Sequence, residues 1–169
     1  TAKAGIDRGK PVIGLDCWEA HTVGDVTITA APALHGPPGV ERLVGPVIGF
    51  VLEAPDAPTV YVSGDNASLD LVRQIADRFP GIEVAVLFAG AARVPSIDAA
   101  LTLTSADAAE AAAILGVSTV VGVHTEDWEH FSETRGQLEA AFAGTGLLVE
   151  TPRGVAVELR LPARTESQG

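Results

Sequence analysis

Apolar residues alternate with polar ones in the first third of the chain, and after Gly64 they recur at helical spacing instead. Residues 25–31 set Val26, Ile28 and Ala30 against Thr27 and Thr29, the period-two pattern of a half-buried strand. Gly24-Asp25 supplies a turn before it, and residues 11–17 form another short β-rich run. His21, in Trp18-Glu-Ala-His-Thr-Val, falls on a strand or at its edge. The stretch His35-Gly-Pro-Pro-Gly39 excludes regular structure, because proline lacks a backbone donor and glycine favours turns. Residues 47–53 and 59–63 then predict a hairpin joined by the turn at 54–58.

Beyond Gly64 the spacing of Leu69, Val72, Ile75, Ala76 and Phe79 predicts a helix, stopped by Pro80-Gly81. Residues 82–88 are a continuous apolar run of the length of a strand buried on both faces. Thr104-Ser-Ala-Asp107 fits a variant capping box, with Asp where Glu or Gln is usual, and opens an Ala-rich helix to Leu115 before Gly116. Residues 118–123 predict a buried strand, 132–142 a helix, and 146–150 and 154–159 closing strands. A β-rich opening followed by alternating strands and helices argues for a layered α/β or α+β domain, with helices packed on a sheet.

The chain of 169 residues fits one domain, expected over 1–160 with a disordered tail at 161–169. Its formal net charge of -11 argues against a nucleic-acid partner, whose phosphates are held by Lys and Arg, and against docking on anionic lipid. No apolar run approaches membrane-spanning length, and residues 1–10 do not resemble a signal peptide, so a cytoplasmic location is expected. The chain has no Met, and Thr1 reads as a truncation or processing boundary. Cys17 is the only cysteine, which rules out an internal disulfide or a Cys-rich zinc ribbon; it is expected as a small buried strand residue.

Three strands lead into loops that carry a chemically notable residue. His35 follows the strand ending near Ala33, Asp65 follows 59–63, and His124 follows 118–123. Taken singly, each has an ordinary explanation: a loop histidine, an Asp that caps a helix or holds a turn, a satisfied core histidine. Together they are imidazole and carboxylate groups of the kind that bind Zn²⁺ and neighbouring transition metals, at strand ends where they can converge. Two histidines and one carboxylate do not complete a dinuclear site. His130 could orient a ligand, contact substrate or cap the last helix. Asn66 could reach substrate or hold the turn beside Asp65. Arg42 is a candidate anion contact on the loop after His35.

The stretches Thr27-Ile-Thr-Ala-Ala-Pro-Ala-Leu-His35-Gly, Val60-Tyr-Val-Ser-Gly-Asp65 and Val120-Val-Gly-Val-His124 resemble, in order and in strand context, the later metal-binding motifs of the metallo-β-lactamase superfamily. The resemblance covers residues 10–159 and looks closest to the metal-dependent hydrolases related to the L-ascorbate-6-phosphate lactonases. It implies the C-terminal half of an αββα sandwich, a mixed sheet with helices on one face. It also implies that His35 is the third histidine of a first metal, Asp65 the bridging carboxylate with a catalytic role, and His124 the histidine of a second metal. His130 and Asn66 would support these ligands or contact substrate. The implied cofactor is a pair of zinc ions, with manganese or iron as alternatives. The implied activity is hydrolysis of a small-molecule ester, lactone, amide or phosphoester.

The family's His-x-His-x-Asp-His signature, which precedes these motifs, has no counterpart here. The chain by itself is therefore expected to bind metal weakly and to hydrolyse little. Its apolar face calls for a partner, either the missing N-terminal half or a second copy. The rival reading is a non-catalytic binding or assembly module on a degenerate half-fold. A nucleotide-binding domain is disfavoured, because no strand leads into a Gly-rich phosphate loop of standard spacing.

Overall fold

A computed structural model describes residues 12–159 and 161. Six strands form one sheet in chain order: β1 (Ala20–Val23), β2 (Val26–Pro32), β3 (Ile48–Glu53), β4 (Thr59–Val62), β5 (Ile82–Phe88) and β6 (Thr119–Val123). β1 to β4 pair antiparallel, whereas β4, β5 and β6 pair parallel. The reason lies in the connections. Gly24-Asp25 and the turn at 54–58 are short enough for hairpins, while the parallel pairs need crossovers, supplied by α2 (Leu69–Arg78) and α3 (Ser105–Leu115). A short α1 (Glu41–Val44) lies in the loop after His35, and α4 (Arg135–Ala141) follows β6.

The helices start where local chemistry provides for their free N–H groups. Ser68 Oγ accepts from Leu71 N at 3.3 Å to cap α2. At α3, Thr104 Oγ1 accepts from Asp107 N at 3.1 Å and Asp107 Oδ2 accepts from Thr104 N at 3.2 Å, the expected capping box. The last helix begins at Arg135 rather than at 132, because Ser132 and Glu133 both donate their N–H to Gly90 O. Gln137 Oε1 accepts from Thr134 N at 3.0 Å, so Thr134 and Gln137 cap α4, and His130 does not.

The pleat divides the sheet into two unlike faces. Ala31, Val51, Tyr61, Ala85, Leu87 and Val120 are fully buried against Val72 and Ile75 of α2, Ala108, Ala111 and Ala112 of α3, and Leu138 of α4. On the opposite face Ile28, Phe50, Leu52, Val62, Val86 and Val121 stay only half-buried. Register places Phe50, Val62, Val86 and Val121 side by side across four strands, a continuous apolar stripe. The strands 82–88 and 118–123, read from sequence as buried on both faces, are covered by helices on one; on the other Val84 and Thr119 are buried, while Val86 and Val121 are half-buried.

Tyr61 brings a hydroxyl into the helix-covered core. It has no hydrogen-bond partner among the described residues, and burial pushes its pKa well above the usual phenol range. An unsatisfied buried hydroxyl costs stability, so Tyr61→Phe is expected to leave the fold as stable or to gain about 1 kcal/mol. Thermal denaturation reads this directly, and a clear loss of Tm would show that the hydroxyl has a bonded partner.

Three expectations need correction. Residues 12–17 form no strand, and Cys17 is exposed in a turn. The chain reverses there, with Glu19 N donating to Asp16 O and Trp18 N to Ala30 O. That brings the Trp18 ring against the helix-side core, with the Arg78 guanidinium 4.8 Å from its centre. Residues 146–150 make a single parallel bridge, Leu148 to Val120, in place of a strand. Residues 154–159 pair with nothing in the sheet, and Val155, Val157 and Leu159 project into solvent at alternate positions. Arg160 and residues 162–169, part of the expected tail, lie outside the described residues.

Candidate metal centre

β2 runs antiparallel to β3, and β3 to β4, so β2 points the same way as β4, β5 and β6. The carboxyl ends of these four strands share one edge of the sheet, where α/β folds usually place their functional groups. His35 comes three residues after Pro32, Asp65 three after Val62, and His124 directly after Val123. The structure brings all three together. His35 Nδ1 lies 3.4 Å from Asp65 Oδ2, and His124 Nε2 lies 3.7 Å from Asp65 Oδ1. One carboxylate thus faces one imidazole through each of its oxygens.

Each residue is held there by its own loop. Asp65 is not a helix cap, since Ser68 fills that role. Gly64 before it has φ +57 and lies so close to Ile48 that an added Cβ would sit 2.6 Å from the Ile48 carbonyl oxygen. Gly36 after His35 has φ +101, a conformation that L side chains rarely adopt. His124 itself has φ 61, and its ring lies between Phe88, 5.1 Å away and stacked, and Phe131, 4.2 Å away and tilted. A non-glycine residue in this region costs energy and persists only where its surroundings hold it.

The electrostatics suit His124 as a neutral ligand. Burial between the two phenyl rings lowers the His124 pKa; the Asp65 charge works against this, and His130 and His35 add to it. The imidazole is therefore kept in the form that can donate a lone pair to a metal. Among the described residues His35 Nδ1, Asp65 Oδ1 and His124 Nδ1 are buried without a hydrogen-bond partner. Buried polar atoms are rarely left so, and His35 Nδ1 and Asp65 Oδ1, each of which lies in one of the two Asp65–histidine contacts, point to a ligand that satisfies them.

The donors have the right chemistry for a metal pair, but each ion would receive from this chain one imidazole and one carboxylate oxygen, about half of a tetrahedral set. Consistent with this, no group of three His, Cys, Asp or Glu side chains among the described residues converges to hold an ion unaided. The residues fit part of a dinuclear site.

The other candidates fall around it. Asn66 is fully buried, and its side-chain amide is occupied by Leu34 and Ser68. His130 is exposed, its ring 4.7 Å from Phe131 and 5.8 Å from Trp128, and its carbonyl accepts from Arg93 N. Arg42 is exposed on α1, and His21 sits on β1 opposite Ile28, away from the three. Beside His124 opens a cavity of about 820 Å³ lined by Trp128, Phe131, Arg135 and Arg153 among others. Arg153 is already paired with Glu126 at 3.1 Å and Asp127 at 2.5 Å. Sequence reasoning missed Gly90, Phe88 and Phe131, which seat His124, and Glu133, whose Oε2 accepts from Ser105 N at 2.6 Å. Only the glycine of the loop after β5 hinted at them.

A mixed sheet with helices on one face, and an Asp set between two His at its carboxyl edge, define a metallo-β-lactamase-like half-fold. The crystal structure of a possible metal-dependent hydrolase from Veillonella parvula superposes with a TM-score of 0.75 at 20% identity, over 84% of this chain and 57% of that one. An isothiocyanate hydrolase from Delia radicum gut bacteria superposes with a TM-score of 0.70 at 24% identity, over 82% of this chain and 56% of that one. The chain is also 27% identical to a metal-dependent hydrolase of Methanosphaerula palustris, over 94% of this chain and 71% of that protein. It therefore spans a little over half the length of these solved structures and about seven-tenths of that relative. The family of beta-lactamase superfamily domains matches residues 2–125, and the chain belongs to it. Among the described residues no helix is long and apolar enough to cross a membrane.

Proposed function

We propose that this chain is the ligand-bearing C-terminal half of a metal-dependent hydrolase acting on a small-molecule ester, lactone, amide or phosphoester. The observation that carries the reading is Asp65, with one oxygen facing His35 and the other facing His124. His35 and His124 would each hold one ion, and Asp65 would lie between the two. Zinc suits this donor set, with manganese or iron as alternatives. A bound pair supplies a water acidified to near neutrality and a positive field for the oxygen that becomes charged. The chain's own residues do the rest. Phe88 and Phe131 exclude water from one side of His124, and its lowered pKa keeps the imidazole neutral. The names of the relatives support metal dependence and hydrolysis; the lactonase-related branch is the narrower form of this proposal.

The test is metal content by plasma mass spectrometry, together with hydrolysis of a lactone, ester and phosphoester panel before and after EDTA. It is run on the longest natural protein that contains this chain. About two equivalents of metal and EDTA-sensitive turnover are expected. A metal-free protein with no turnover would sink the reading in favour of an assembly module.

The half-covered stripe and the unpaired segment 154–159 both favour a further layer over this sheet, either the N-terminal half of the sandwich or a second copy. That layer would bring the remaining donors, so the isolated chain is proposed to bind metal weakly and to turn over little. Contiguous apolar patches of this kind are uncommon on soluble monomers. The isolated chain is expected to self-associate in sedimentation velocity, and Val86→Glu, on the open stripe, to shift it toward monomer. A wild-type chain that stays monomeric and does not bind a hydrophobic dye would show that the face needs no cover.

A further inference from the structure

We propose that Asn66 is the positioning residue that sets the spacing between His35 and Asp65, a role that rests on the metal-site reading above. Asn66 is adjacent to Asp65 in sequence and fully buried, so it does not meet solvent. Its Oδ1 accepts from Leu34 N at 3.1 Å and from Ser68 N at 3.1 Å, and its Nδ2 donates to Ser68 O at 3.0 Å. Leu34 is the neighbour of His35. One side-chain amide therefore bonds the residue before one candidate ligand and stands directly after the other.

The brace is double. Ala67 N donates to Leu34 O at 2.8 Å, so the loops after β2 and β4 are joined by hydrogen bonds in both directions. The backbone of Asn66 extends the connection. Its carbonyl accepts from Leu103 N at 2.9 Å, and the Leu103 carbonyl accepts from Ala91 N at 3.0 Å. Ala91 follows Gly90, the residue packed against the His124 backbone. Asn66 thus joins the loops that carry His35 and Asp65 directly, and two backbone hydrogen bonds lead on from it to the loop packed against His124. Groups behind metal ligands fix their orientation, and losing one typically weakens metal affinity by roughly 10- to 100-fold.

The test compares, in the longest natural protein that contains this chain, Co²⁺ binding by wild type, Asn66→Ala, Asn66→Asp, Asp65→Asn and Ile75→Ala, using Co²⁺-induced amide shifts by NMR for affinity, the visible d–d band for geometry, and Tm for stability. Ile75 lies in the α2 core, away from the cluster, and controls for general loss of stability. Asn66→Asp keeps an acceptor for the Leu34 and Ser68 N–H groups, so a foldable variant remains if Asn66→Ala collapses. Expected is Co²⁺ binding by wild type that Asp65→Asn abolishes and Asn66→Ala weakens by roughly tenfold or more, with an altered d–d band. Asn66→Asp should retain the wild-type band, and Ile75→Ala the wild-type affinity despite its lower Tm. If Asn66→Ala binds as wild type does, or Ile75→Ala weakens binding equally, Asn66 is merely structural and the proposal falls. If Asn66→Ala does not fold and Asn66→Asp alters the band, the proposal falls as well. A wild-type protein of full natural length whose amides do not respond to Co²⁺ overturns the metal reading itself, and this role with it.

Discussion

Replacing Gly90 by alanine is expected to lower the Tm by about 6–12 °C and to displace His124. The number follows from where the new atom would go. A Cβ on Gly90 would overlap the carbonyl oxygen of His124 and lie 3.1 Å from Phe131 Cγ. The oxygen belongs to the backbone, so no rotamer change relieves the collision. Gly90 is also pinned from the other side, since its carbonyl accepts from both Ser132 N and Glu133 N at 3.1 Å. Overpacking of this kind costs about 3 kcal/mol, and in a domain of this size each kcal/mol moves Tm by about 2–4 °C.

The energy would be released where the structure is already strained. His124 holds a left-handed backbone, and the contact at Gly90 is one of the things that holds it there. Its ring is expected to leave the slot between Phe88 and Phe131 and so to move away from Asp65. Thermal denaturation checks the first part, and the chemical shifts of the His124 ring check the second. Gly81→Ala is the control, because it opens on empty space and its backbone is not left-handed, so little change is expected. Equal effects at Gly90 and Gly81 would mean that the loop after β5 yields freely and does not seat His124.

The elements readable from sequence were those whose cause is local. The alternation of Val26, Ile28 and Ala30 against Thr27 and Thr29 marks β2 because its two faces meet different surroundings. The Thr104–Asp107 box marks the start of α3 because both partners lie within one turn. What could not be read depends on distant groups. Residues 12–17 carry the composition of a strand, yet they turn because Trp18 reaches the core beside Arg78, across the chain. Residues 154–159 carry the alternation of a strand, yet they pair with neither β1 nor β6, the two edges of this sheet, and alternation only shows that a strand could form.

The site divides in the same way. His35, Asp65 and His124 could be chosen from sequence because each stands just past a predicted strand, and the common direction of β2, β4 and β6 turns that order into proximity. Their supports could not. By sequence Asn66 stands either to reach substrate or to hold the turn beside Asp65; its amide bonds Ser68 in that turn and also a backbone N–H thirty-two residues away in sequence, which no local pattern shows. Phe131 carries no local mark, and Gly90 none beyond being a glycine, of a contact with His124 that arises only when the loops after β5 and β6 close on each other.

Asp65→Asn is the substitution for which stability and function should move in opposite directions. Without metal the Asp65 carboxylate has one oxygen buried with no hydrogen-bond partner among the described residues, on a protein whose formal net charge is -11. The two imidazoles do little to offset this, since neither approaches closer than 3.4 Å and burial disfavours the charged form of His124. Asparagine keeps the shape, removes the charge and adds an N–H that either imidazole can accept. The metal-free Tm is therefore expected to stay level or rise by a few degrees, a gain of about 0.5–1.5 kcal/mol. With metal the sign reverses. Among the described residues the same carboxylate is the only anionic donor that faces both histidines, and an amide oxygen cannot neutralise two divalent ions. Loss of an outer partner already weakens a metal site by up to ~100-fold, so loss of this ligand should exceed that in both metal affinity and hydrolysis by the complete protein. Two measurements decide the matter: Tm with and without EDTA, and turnover at saturating metal. A variant that melts higher without metal but neither binds it nor turns over would mean that Asp65 is kept at the expense of stability. A variant that melts lower in both states and retains turnover would make Asp65 a structural residue, and the metal pair would have to be sought elsewhere.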